Sequence, residues 1–247
     1  MDRNMFCFQC EQTAGCSACT GNAGVCGKKA DTANLQDQLT GALIGLAKDI
    51  NGNEKLMTEA TDKLVVEGLF STLTNVNFND ATLSAFIEKI AAEPYPMKEL
   101  WNANEDIRSL KSLILFGIRG LAAYAYHAKV LGYQNAEINR FFYKALSAIG
   151  MDDWGMEELL PIVMEVGEIN LKCMALLDKA NTETYGNPVP SEVSLTVEKG
   201  PFIVISGHDL YDLKQLLEQT EGKGINIYTH GEMLPAHAYP ELKNMHT

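Results

Sequence analysis

"MFCFQCEQTAGCSACTGNAGVCGKKAD", residues 5–31, holds five of the chain's six cysteines, Cys7, Cys10, Cys16, Cys19 and Cys26, and leaves only Cys173 elsewhere. Thiols crowd like this for one of three physical reasons: disulfides, zinc or an iron–sulfur cluster. The opening MDRNMFCFQC has no continuous apolar core of the kind that marks a secretory signal. A cytoplasmic chain is therefore expected, and there a knot of thiols binds metal rather than closing disulfides. Spacing bears on which metal. Cys7/Cys10 and Cys16/Cys19 form two C-x2-C pairs, but only five residues separate them and Cys26 is left over, a tight fit for zinc. Cys7, Cys10, Cys19 and Cys26 instead follow the iron–sulfur habit of one close pair plus two more distant thiolates, with Cys16 to spare. Glycines at 15, 21, 24 and 27 suit a loop folding closely around a bulky inorganic core. On spacing alone, zinc and unliganded thiols stay open beside iron–sulfur. A phosphate loop fits poorly: Gly21 and Gly27 stand one residue too far apart, and Lys29 occupies the place of Ser or Thr.

Outward from this segment the pattern is helical for some 150 residues. Ala33 to Ile50 sets Leu35, Leu39, Leu43 and Leu46 at spacings of three and four, one apolar stripe, and Asn51-Gly52-Asn53 stops it. Helices are expected over Glu54–Thr74, from Asn79-Asp80 to about Ala92, over Asn104–Leu131 and Asn135–Ile149, and from Met156 to Ala180. Between the third and fourth, Glu93-Pro94-Tyr95-Pro96 breaks the chain. Gly117 and Gly120 are candidates for a close helix crossing. After Thr182 a proline- and glycine-bearing stretch reads as a boundary. Pro201–Ser206 and Gly224–Tyr228 then read as strands buried on both faces, joined by a helix over Asp209–Thr220. The expected fold is mainly α: a cysteine-rich cluster segment (residues 1–30), a helical bundle domain (31–181), and the first βαβ unit of an α/β Rossmann-like domain (198–247). One such unit cannot make a stable sheet alone, so the chain reads as the front part of something longer.

Composition narrows the function. The 247 residues are 46% hydrophobic and 21% charged, with 20 basic and 32 acidic side chains giving a net charge of −12. That balance argues against nucleic acid or an anionic membrane surface as partner. No apolar run reaches the roughly 18 residues of a membrane helix. A second group of chemistry-bearing residues lies in "SGHDL" and "THGEMLPAH". His208 follows the first strand and His230 the second, at the carboxyl edge where open α/β sheets collect ligands. Glu232 and His237 are close by in sequence. A single-ion zinc or iron site on His230, Glu232 and His237 is one reading, and capping polar residues in loops is the plainer one.

"MFCFQCEQTA", "GVCGKKADTANLQDQL", "ISGHDL" and "YTHGEMLPAHAYPELK" together resemble the hybrid cluster protein family, also called prismane proteins or hydroxylamine reductases. The likeness covers the whole chain but only about the first half of a family member. It implies a [4Fe–4S] cubane, or in another branch a [2Fe–2S] cluster, on Cys7, Cys10, Cys19 and Cys26. Cys19 stands nine residues after Cys10, as in the cubane branch; Cys26 follows at seven, one more than is common there, and Cys16 has no counterpart. The resemblance also implies a hybrid [4Fe–2O–2S] cluster with His208 and Glu232 as its first two ligands, its remaining ligands lying beyond Thr247. Nitrogen and oxygen donors suit the oxygen-bridged irons. His230 and His237 would stand behind them, to orient or protonate. Cys173, inside a predicted helix, reads as a small core residue. The implied activity is reduction of hydroxylamine to ammonia and water, or of nitric oxide, in defence against nitrosative stress, with electrons from a redox-protein donor. Two rivals differ in class: a stand-alone electron-transfer or metal-binding module without turnover, and a zinc-binding helical interaction protein.

Overall fold

The computed structural model describes residues 5–7, 9–10, 18–74 and 76–245; Cys16 lies outside them. The chain divides into two compact units, Met1–Tyr126 with Asn135–Cys173, and His127–Gln134 with Met174–Thr247.

The first unit is helical and built on α1 (Ala30–Gly52). Leu39, Leu43, Ile44 and Ala47 of α1 are fully buried, and so are the polar Gln36 and Thr40. Of the expected stripe, Leu39 and Leu43 are buried and Leu35 and Leu46 only partly so. After α1 the chain does not continue as one helix over 54–74. A short 3-10 turn, Glu54–Leu56, precedes α2 (Glu59–Ser71), because Thr58 is extended and forms a reciprocal cap with Thr61. Each hydroxyl of that pair takes a backbone N–H that an uninterrupted helix would have used otherwise. Asn79 caps α3 (Asp80–Glu88) through the amides of Ala81 and Thr82, as its sequence signals; the helix ends short of Ala92. A further short helix, α4 (Met97–Asn102), follows the prolines and was not expected.

The Glu93–Pro96 segment has a purpose that periodicity does not show. Its backbone lies directly on α1 at Gly41 and Gly45, where a Cβ would strike the carbonyl oxygens of Tyr95 and Glu93. Tyr95 N–H donates to the Gly41 carbonyl at 2.9 Å. Its hydroxyl donates to Asp152 Oδ1 at 2.8 Å, and the buried Lys111 ammonium lies 3.5 Å from the same carboxylate. Two more long helices cross this unit, α5 (Glu105–Val130) and α7 (Met156–Tyr185), with α6 (Ala136–Ile149) between them in sequence. Gly117 of α5 does face Val166 of α7 closely, whereas nothing lies within 4 Å of a Cβ at Gly120, so only the first glycine marks a crossing. Asp62 of α2 accepts from Tyr143 Oη (2.6 Å) and Asn139 Nδ2 (2.9 Å) of α6. No helix among the described residues is long and apolar enough to cross a membrane.

In the second unit α7 runs on to Tyr185, five residues past the expected Ala180. β1 (Phe202–Ser206) and β2 (Asn226–His230) pair in parallel, Phe202 opposite Asn226 and Ser206 opposite His230. Between them α8 (Leu210–Thr220) is capped by Asp209, which accepts from the amides of Tyr211 and Asp212. A 3-10 helix, Gly231–Ala238, and a single turn, α9 (Pro240–Lys243), complete the unit. Its core gathers Tyr185, Leu213, Met233, Ala236, Tyr239 and Leu242. One expectation fails here: β1 is not buried on both faces, since Phe202 and Val204 are 61% and 57% exposed. The described residues supply only two strands, and they leave part of an apolar strand uncovered.

The close pass over α1 generates a prediction. Gly41→Ala and Gly45→Ala should each destabilise the protein by about 1–3 kcal/mol through overpacking, and Gly120→Ala should leave it unchanged or gain up to about 1 kcal/mol of helix propensity. Denaturant unfolding of the three variants beside the parent checks this ordering.

Candidate metal centres

The cysteine loop is held by backbone pairing. Cys7 and Cys19 form an antiparallel bridge, with N–H···O distances of 3.0 Å from Cys7 and 2.7 Å from Cys19. A second bridge joins Ala23 to Lys29, and within it Gly24 N–H donates to the Lys28 carbonyl at 2.8 Å. The two bridges bring Cys7, Cys10, Cys19 and Cys26 to the lining of one small pocket, which Lys28 also lines. All four carry free thiols, Cys7 and Cys19 buried, Cys10 and Cys26 partly so.

This arrangement bears on what the loop can hold. A structural zinc draws its thiolates to within roughly 2.3 Å of one point. Among the described residues, no three His, Cys, Asp or Glu side chains converge so as to hold a single ion. Four cysteines lining one pocket match the four-thiolate donor set of a cluster, whose cysteine ligands attach to different irons. Burial pushes the Cys7 thiol above its ordinary value, against a lowering by a Gln9 backbone hydrogen bond and by the charge of Lys28. Iron would remove that penalty by binding the thiolate directly.

Behind the loop lies a charged layer that sequence reasoning missed. Lys28 is 1% exposed, donates to Gln36 Oε1 and stands 3.9 Å from Cys7 Sγ. Asp37 accepts from Gln9 Nε2 at 3.2 Å. Burial raises its carboxyl to about 6 despite the opposing charges of Arg119 and Lys28 and the Gln9 hydrogen bond. The buried Arg119 guanidinium, lowered to about 10 by desolvation, donates from Nη2 to Thr40 Oγ1 at 2.8 Å. Only spacing to the cysteines could have singled out Lys28, and nothing local marks Gln36 or Arg119. Cys173 is fully buried; its Sγ donates to the Leu121 carbonyl at 3.7 Å and its thiol is pushed up to about 12 by burial, as a core residue should be.

The second group of site residues belongs to the sheet edge. β1 and β2 are each followed by a glycine with positive φ, Gly207 (140°) and Gly231 (65°), so each strand can turn sharply into the next residue. Those next residues are His208 and Glu232, and the turns bring His208 Nδ1 to 3.6 Å from Glu232 Oε2. Their side chains are 58% and 82% exposed, an open pair of one nitrogen and one oxygen donor. His230 and His237 are not drawn into that pair. His230 Nδ1 bonds Ser206 Oγ at 2.9 Å, and His237 Nε2 bonds Thr229 Oγ1 at 2.7 Å. Each of these two imidazoles thus has a hydroxyl partner, and His230, Glu232 and His237 are not drawn to one point among the described residues.

A third histidine does approach. His127, near the end of α5, has its ring centroid 5.4 Å from that of His208, edge to face, and its Nδ1 lies 3.4 Å from Asp209 Oδ2. Burial alone would raise the Asp209 carboxyl, but hydrogen bonds from His127 and from the amides of Asp212 and Tyr211 hold it below the usual range. Asp209 thus both caps α8 and orients His127. No local pattern in the helix segment YAYHAKV announces this role.

The profile of the Prismane/CO dehydrogenase family matches residues 5–247. A hydroxylamine reductase of Methanocella arvoryzae is 43% identical over 97% of this chain and 51% of its own length. Those of Porphyromonas gingivalis and Maridesulfovibrio salexigens are each 44% identical, over 98% and 97% of this chain and 51% and 50% of their own. The chain spans about half the length of these curated relatives. With a match along nearly its whole length, the chain belongs to the Prismane/CO dehydrogenase family.

Proposed function

We propose that the protein of which this chain forms part reduces hydroxylamine to ammonia and water, and related nitrogen oxides such as nitric oxide, in a cytoplasm under nitrosative stress. The observation that carries this reading is the His208–Glu232 pair, set 3.6 Å apart across neighbouring strand ends and open to solvent. The relatives named as hydroxylamine reductases support it. Breaking the N–O bond takes two electrons and two protons. An oxygen-bridged iron cluster, when bound, supplies the redox chemistry; His208 and Glu232 would be two of its ligands. The protein's own share is geometric and acid–base. His127, tied to Asp209, fixes the edge of the His208 ring, and His230 and His237, anchored on Ser206 and Thr229, can orient neighbours or pass protons. Cys7, Cys10, Cys19 and Cys26 would hold a [4Fe–4S] cluster, with [2Fe–2S] as the alternative, that receives electrons from a donor redox protein.

Two outcomes are expected. Anaerobic reconstitution of the 247-residue chain should give iron and acid-labile sulfide. Cys7→Ser, Cys10→Ser, Cys19→Ser and Cys26→Ser should each lose most of both, and Cys173→Ser should not. A colourless parent, or one that takes up zinc alone, would overturn the cluster assignment. In the complete protein, with a reduced viologen dye as donor, His208→Ala and Glu232→Ala should each lower ammonia production at least about a hundredfold while the cysteine-bound cluster keeps its spectrum. The 247-residue chain by itself should not turn over hydroxylamine. Undiminished activity in the two variants would remove the role given to the strand-end pair.

A further inference from the structure

The interior behind the cysteine cavity holds more positive charge than the described side chains balance. Lys28 and Arg119 are 1% and 3% exposed, and the carboxylate whose charge acts on both is Asp37. Lys28 has no carboxylate in ion-pair contact among the described residues. Its ammonium is gripped by a neutral amide, Gln36 Oε1, and points at sulfur, 3.9 Å from Cys7 Sγ. Gln36 is itself fixed, since its Nε2 donates to the carbonyls of Ser71 (3.3 Å) and Asn77 (3.2 Å). Arg119 spends one nitrogen on Thr40, and its Nε and Nη1 have no hydrogen-bond partner among the described residues. Two buried cations facing one carboxylate leave a surplus, and a buried charge is costly unless an opposite charge lies near.

A cluster held by four thiolates is such an opposite charge. It is net negative in both oxidation states and one unit more negative when reduced. We propose that Lys28 is the built-in counter-charge of the cysteine-bound cluster, held against the Cys7 sulfur by Gln36 so that the reduced form is favoured. The inference rests on the four-cysteine reading above. The step concerned is transfer of one electron from a one-electron reductant; no bond is made or broken and no proton moves. The fixed ammonium attracts the added negative charge more strongly than it attracts the oxidised cluster, so it raises the potential.

The test uses the 247-residue chain, reconstituted with ferrous iron and sulfide, in a redox titration followed by electron paramagnetic resonance. Lys28→Met should lose at least about tenfold in the reduced-to-oxidised ratio, ~59 mV for a one-electron couple. Lys28→Arg should stay near the parent. Gln36→Glu, which gives the ammonium a carboxylate partner, should shift the midpoint in the same direction as Lys28→Met. An unchanged midpoint in Lys28→Met at equal iron content overturns the proposal. If Lys28→Met cannot hold a cluster, retention by Lys28→Arg supports the counter-charge and loss from both overturns it. A parent that takes up no cluster strikes at the cysteine assignment instead, and iron analysis tells the two failures apart.

Discussion

One buried side chain, Gln36, ties the cysteine loop to the helices of the first unit. This wholly buried amide on α1 accepts from Lys28 of the cysteine loop and donates to the carbonyls that close α2 and precede α3. An amide with both ends satisfied is worth little as a net hydrogen bond, but leaving any of these groups unpaired in the interior costs about 1–3 kcal/mol each. Among the described residues, Met5, Cys7, Cys19 and Ala33 form the loop's small packed group, and Phe6 meets the Trp101 ring edge to face. A polar joint ties this packed group to α1 as well. The same joint aims a positive charge at the place where sulfur is densest.

The second unit solves a different problem with the same economy. Two parallel strands end in register at Ser206 and His230, and both run into a glycine turn. Equal strand ends followed by equal turns deliver the next side chains, His208 and Glu232, to one place without a long loop. Ser206 faces His230, so the strand ends also carry their own hydrogen bond. Asp209 adds a third function to this edge, starting α8 and orienting His127 at once. Backbone regularity does the positioning, and loop chemistry adds only the donors.

What the sequence disclosed follows from which signals are local. Asn79, Asn135 and Asp209 announced helix starts because an Asx cap acts within three residues. Strand order placed His208, His230 and Glu232 at one sheet edge, but only the family resemblance singled out His208 with Glu232. The split at Thr58 was missed, since a threonine pair capping itself has no glutamate to advertise the box. The crossing of Glu93–Pro96 over Gly41 and Gly45 was missed for another reason. The prolines declared a break, but only tertiary contact says what the broken segment lies against. His127, Gln36 and Arg119 share that difficulty: each sits in a helical stretch whose periodicity is satisfied without it. The exposed face of β1 misled because a β-branched run reports what a strand suits, and not what covers it.

Val25 carries a last implication. It sits beside Cys26 in the turn that closes the cysteine cavity, and it is 63% exposed. Were a cluster held there, the electrons and the dioxygen that reach it through this turn would meet the same side chain first.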